Sequence, residues 1–133
     1  MANVRSANTK PEMIVRRVAH GLGYRYRLHV SSLPGSPDLV FPQMKKVIFV
    51  HGCFWHRHDG CSRTTTPKTR AEYWNAKFSA NVARDAAQAK ALRELGWKVL
   101  TIWECETREQ PALRQMISQF LSDDAASGEF SSN

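Results

Sequence analysis

Apolar and polar residues alternate along this chain in two rhythms, and the switches between them mark out its elements. Thr9-Lys10-Pro11-Glu12 has the S/T-x-x-E spacing of a capping box, with proline in the first turn. It opens an amphipathic run of Met13, Ile14, Val15, Val18 and Leu22, punctuated by Gly21 and Gly23, and this predicts a first helix. Residues 24–30 then alternate Tyr, Arg, Tyr, Arg, Leu with the period of a half-buried strand, before the turn Leu33-Pro34-Gly35-Ser36-Pro37. Residues 38–41 (DLVF) and 46–50 (KVIFV) read as two strands joined by the short Pro42-Gln43-Met44 connection, which suits a hairpin.

Further along, Thr69-Arg70-Ala71-Glu72 repeats the capping-box spacing and begins a long alanine-rich helical region, one kinked helix or two, that ends near Gly96. Residues 97–103 (WKVLTIW) form a short apolar strand with Trp97 and Trp103 in the core, and residues 111–121 form a final helix. From residue 122 the chain is rich in Ser and Asp and is expected to be a disordered tail. The order αββ(β)αβα predicts an α/β fold, a mixed central sheet flanked by helices, in a single domain over residues 1–121. A hydrophobic share of 42% in 133 residues is enough for one core.

Charge narrows the class of partner. Residues 1–50 carry eight Lys/Arg against Glu12 and Asp38, residues 51–100 nine against four, and residues 101–133 two against six, so the net +7 belongs to the first hundred residues. A positive surface attracts polyanions and releases their counterions, which makes nucleic acid the leading partner. No apolar run approaches the ~20 residues of a membrane helix, and the N-terminus lacks a charged-then-apolar leader, so the expected setting is the cytosol. Three cysteines are an odd number for a disulfide framework, and in the cytosol they favour thiolate or metal chemistry.

Two of those cysteines fall in VHGCFWHRHDGC, residues 50–61. Cys53-x4-His58-x2-Cys61, joined by Cys105 across 43 intervening residues, makes a Cys3His set, the complement of a closed, structural zinc site. Zinc accounts for His58 and leaves His51 and His56 for other work. Asp38, at the start of a strand, is a poor strand former; it either caps the turn after Pro37 or offers a carboxylate to Mg²⁺. Pro-Asp opening a strand, about eleven residues ahead of an apolar strand, is the outline of the restriction-endonuclease-like core. That core normally carries Glu-x-Lys on the second strand, and the matching place here reads Phe49-Val50-His51, without the lysine.

PGSPDLVF, then VIFVHGCFWHRHDGC, TPKTRAEYWNAKFSANVARD and LGWKVLTIWEC, in this order from Arg5 to about Leu121, closely resemble the very-short-patch repair (Vsr-type) DNA mismatch endonucleases. The resemblance implies a Mg²⁺-dependent bacterial endonuclease that nicks one strand of double-stranded DNA beside the thymine of a T:G mismatch, the lesion left when 5-methylcytosine deaminates. It implies Asp38 as the carboxylate bridging two Mg²⁺ ions, the Val50 backbone carbonyl as a second protein ligand and Glu12 reaching the metal through water. His51 and His56 would be catalytic, with Asp85 in the hydrogen-bond network behind them, and Cys53, His58, Cys61 and Cys105 would hold one structural Zn²⁺. Phe54, Trp55 and Trp74 would form an intercalating wedge, with Met1 standing where the family has a methionine of the same set.

Those residue types suit the chemistry. Two cations can stabilise the attacking and leaving oxygens of an in-line displacement at phosphorus, while an imidazole takes a proton from water. We assign His56 as general base and His51 as a contact to the phosphate. Rings pushed between base steps cost least where pairing is already weak, as at a mismatch. The family also implies association with a cytosine-5 DNA methyltransferase and mismatch-repair factors, action at the nucleoid, and a monomer. In this chain the zinc loop carries one extra residue, Gly60. Two other functional classes fit the bare residues: a zinc-stabilised mismatch-binding module that does not cut, and a broader-specificity nuclease on the same scaffold.

Overall fold

The computed structural model describes residues 9–53 and 69–122. Helix α1 (Lys10–Gly21) begins where Thr9 Oγ1 accepts the Glu12 N–H at 3.4 Å, with Pro11 in the first turn. Val15 and Ala19, four apart, are its buried apolar stripe. Strands β1 (Arg27–Leu28), β2 (Leu39–Phe41) and β3 (Lys46–His51) pair antiparallel with one another in that order. Helix α2 (Ala71–Glu94) crosses over to β4 (Lys98–Trp103), which lies parallel to β3. A short 3-10 helix (Glu104–Arg108) then leads into α3 (Gln110–Ser122). The sheet order is β1-β2-β3-β4, the mixed sheet that the element order predicts.

Strand alternation sorts the core into two layers. Ile48 on β3 joins Leu39, Phe41, Leu100 and Ile102 against Val15 and Ala19 of α1 and Leu113, Ile117 and Phe120 of α3. Val47 and Phe49, pointing the other way, join Val40 and Val99 against Leu92 of α2. Both faces of β3 are therefore covered, which explains its unbroken apolar run. Lys46 is the exception on this strand: it is buried, and Nζ donates to the carbonyls of Phe120 at 2.7 Å and Leu121 at 3.2 Å. Its ammonium thus ties β3 to the last turn of α3, where orphan carbonyls and the helix dipole favour a cation.

Three local expectations are corrected. Strand β1 is two residues long rather than seven: it starts only at Arg27, and His29 takes a left-handed backbone (φ 48°) that ends the extended run. The second capping box does not form: α2 starts at Ala71 behind Arg70, itself left-handed (φ 58°), and no side chain caps it. The Arg70 guanidinium lies instead over the Tyr73 ring at 4.9 Å. Helix α2 is one continuous helix of 24 residues, eight of them alanine, so intrinsic propensity supports a helix with only Phe78 and Leu92 buried. Trp97 packs half-buried on the second core layer, whereas Trp103 is not a core residue: it ends β4 half-buried, edge-on to the His51 ring with centroids 5.4 Å apart. Met1, Phe54, Trp55, His56, His58 and Cys61, and the tail from residue 123, lie outside the described residues.

Candidate active site

The antiparallel and parallel pairings bring four chain segments to one end of the sheet. There β1, β3 and β4 finish and β2 begins. The ladder that pairs Leu28 with Leu39 continues one step further, where the His29 N–H donates to the Asp38 carbonyl at 3.2 Å. His29 and Asp38 are thus fixed opposite each other. On the other side of Asp38, the Val50 N–H donates to its Oδ2 at 2.7 Å. In an extended strand one residue's N–H and C=O leave the same side of the chain, so the Val50 carbonyl also leaves on the Asp38 side.

From above, α1 lowers Glu12 into the same place. Glu12 is buried, with the residue at 1% exposure. Arg16 Nη1 approaches Glu12 Oε2 at 3.5 Å, one helical turn on, and His29 Nε2 approaches the same oxygen at 2.8 Å. His29 Nε2 is 3.8 Å from Asp38 Oδ1. One ligand atom from each of Glu12, His29 and Asp38 lies within 4.8 Å of the others. Two ligands about 2.1 Å from one ion and at right angles to each other are about 3 Å apart. Separations of 2.8 and 3.8 Å straddle that value, so this donor set fits a single divalent cation.

The residues expected from sequence distribute around this cluster in an ordered way. Asp38 meets the Val50 amide directly, and Glu12 joins it across His29. His51, at the end of β3, stands half-buried between the rings of Phe49 (5.5 Å) and Trp103 (5.4 Å). By alternation it shares the face of Phe49, the face that α2 covers. Asp85, Gln88, Ala89 and Leu92 follow one another at helical spacing along the inner side of α2, so Asp85 lies on the side of the sheet that carries His51. Trp74 is half-buried at the start of α2, stacked on Phe78 with centroids 5.9 Å apart, beside Tyr73, which is half exposed.

Cys53 and Cys105 are placed by register. His51 pairs with Trp103 across the parallel ladder, and each cysteine follows its strand end by two residues. The Cys53 N–H donates to Glu104 Oε1 at 3.4 Å, which fastens the two strand ends together. Neither cysteine is in a disulfide. Residues 1–63 match the family described as DNA mismatch endonuclease Vsr. Over 121 residues, 91% of this chain and 88% of the relative, the chain is 49% identical to the type II nicking enzyme V.XorIIP of Xanthomonas oryzae.

This chain belongs to the Vsr family.

It is 38% identical to the DNA mismatch endonuclease Vsr of Escherichia coli, over 96% of this chain and 86% of that protein. Its fold resembles the catalytic domain of the homing endonuclease I-Bth0305I, with a TM-score of 0.58 at 22% identity, over 85% of this chain and 94% of that domain. As a Vsr-family member the protein is an endonuclease acting on DNA, and the end of the sheet is where its acidic and imidazole side chains converge. His29 is the residue that sequence reasoning missed. Its signal was slight: a histidine closing a short alternating run nine positions before Asp38, brought opposite that aspartate only by the turn between them.

Proposed function

We propose that this endonuclease nicks one strand of double-stranded DNA beside the thymine of a T:G mismatch, with Mg²⁺ held at Asp38. The observation that carries the reading is the convergence of Glu12, His29 and Asp38, in a Vsr-family chain, at a sheet end where one Asp38 oxygen is already fixed by the Val50 amide. Asp38 and the Val50 carbonyl would be the protein ligands, with Glu12 reaching the metal through water. Bound there, two such cations would stabilise the attacking and leaving oxygens of an in-line displacement at phosphorus. His56 takes the proton from the attacking water, and His51 contacts the scissile phosphate. Asp85 orients His51 from α2. The rings on either side of His51 limit its rotation, so it is held ready rather than gathered on binding.

Cys53, His58, Cys61 and Cys105 would hold one structural Zn²⁺. The register that sets Cys53 and Cys105 two residues beyond paired strand ends supports this set. Zinc would tie the 54–61 loop to the sheet, and with it the wedge residues Phe54 and Trp55. Trp74, and Met1 ahead of α1, would complete the wedge. In this reading the protein works as a monomer at the bacterial nucleoid, on lesions that a cytosine-5 methyltransferase makes possible, together with mismatch-repair factors.

The test is a nicking assay on two duplexes identical except for T:G or C:G at one pair, each with Mg²⁺ and with EDTA. The expected result is a Mg²⁺-dependent nick in the T:G duplex alone. Binding without a nick would place the protein among non-cutting mismatch binders, and equal cutting of both duplexes would make it a broader nuclease.

A further inference from the structure

We propose that His29 Nε2 is itself a ligand of the divalent cation at Asp38, so that the site is a mixed nitrogen and oxygen site that prefers Mn²⁺ to Mg²⁺. This rests on the reading of Asp38 as the metal-holding residue and adds to it a ligand and a selectivity. His29 Nε2 lies 2.8 Å from Glu12 Oε2 and 3.8 Å from Asp38 Oδ1, so one imidazole nitrogen faces both carboxylates. A nitrogen this close to two carboxylate oxygens borders the space that one cation would fill.

The backbone supplies the second line of support. His29 is held at φ 48°, a region costly for a residue with a side chain, and its N–H is bonded to the Asp38 carbonyl. The left-handed turn ends β1 at this residue and delivers the imidazole to the start of β2. His29 retains 28% of its side-chain exposure while its Nε2 is buried, so the ring reaches from the surface inward to the carboxylates. Donor chemistry then sets the preference. Mg²⁺ favours oxygen ligands and retains its waters, whereas imidazole favours first-row transition ions. An imidazole added to the Asp38 carboxylate and the Val50 carbonyl therefore shifts the balance toward Mn²⁺.

Mn²⁺ titration followed by electron paramagnetic resonance, on zinc-loaded protein without DNA, tests this apart from activity. In the wild type, competition should show Mn²⁺ bound at least about tenfold more tightly than Mg²⁺, and pulsed spectra should show ¹⁴N coupling to the bound ion. His29→Gln should lower Mn²⁺ affinity by about tenfold or more and remove the ¹⁴N coupling. His51→Gln should keep that coupling, which separates the two imidazoles. His29→Asn, whose side chain tolerates the left-handed backbone, should melt like the wild type and lose the coupling too, so that loss cannot be blamed on misfolding. Unchanged Mn²⁺ affinity and persistent ¹⁴N coupling in His29→Gln would overturn the ligand role, while loss of Mn²⁺ binding in Asp38→Ala would still uphold the metal site. Wild-type Mn²⁺ affinity in Asp38→Ala would overturn both.

Discussion

The Val50 N–H donates to Asp38 Oδ2 at 2.7 Å, so one oxygen of the key carboxylate is fixed by the backbone of a central strand while Oδ1 faces His29. A charge-assisted bond from a backbone amide holds a carboxylate more firmly than another side chain does, because the donor cannot rotate away. Asp38 is thus oriented before any ion or DNA arrives. The turn ahead of it shares in this. Gly35 has φ 77°, and a Cβ there would meet Gln88 Oε1 at 2.8 Å and Phe49 Cε1 at 3.1 Å.

Gly35→Ala should therefore loosen the approach to Asp38. Left-handed strain of about 1 kcal/mol, with the forced shift of Gln88, should lower the melting temperature by a few degrees. A melt equal to the wild type would show that the turn relaxes freely.

Cys105 stands two residues beyond β4, in step with Cys53 beyond β3. If both are zinc ligands, Cys105→Ser should lose the bound zinc and lower stability by several kcal/mol, because metal binding free energy is folding free energy in a loop with little core of its own. Elemental analysis of the purified variant is the check; one zinc per chain would contradict the ligand set.

Trp74 sits at the start of the largely exposed α2, stacked on Phe78. Trp74→Ala should weaken binding to T:G duplex by about tenfold or more, a stacking loss of roughly 1–3 kcal/mol. Binding to the C:G duplex should change little, and a titration of both separates a wedge from a residue that merely packs on Phe78. Equal losses on the two duplexes would favour the packing role.

The buried Lys46 has a structural task. Lys46→Ala would leave the Phe120 and Leu121 carbonyls without their donor and open a void beneath the Phe120 ring, which lies 5.5 Å from Nζ. A loss of about 2–4 kcal/mol follows from the unsatisfied carbonyls and the cavity together, measurable as a lower urea midpoint. Nicking at a temperature where the variant is folded should persist.

Periodicity made α1, the β2–β3 hairpin and β4 legible, because each has a buried stripe or alternating face that local sequence must encode. Glu12 was legible only as an ambiguity. Its capping-box spacing predicts a helix start, and the Thr9 half of that cap does form, but the depth of its carboxylate is set by how α1 packs over the sheet. His29 escaped notice because its place depends on a left-handed residue and a ladder step across an eight-residue turn, neither of which has a local signature. At Arg70 the Thr-x-x-Glu spacing misled, since stacking on Tyr73 and a left-handed backbone won over the expected cap. Trp103 looked like core because apolar strands usually end in core, yet this one ends at the open mouth of the sheet beside His51.

The most direct measurement of the account is the nicking rate of Asp38→Ala on a T:G duplex with Mg²⁺, alongside its affinity for the same duplex and its zinc content. The predicted result is a fall of about 10³-fold or more in rate, roughly 4 kcal/mol of lost transition-state stabilisation, with binding, zinc and melting temperature near wild type. Nicking within a few-fold of the wild-type rate would contradict the assignment of the Asp38 cluster as the catalytic centre.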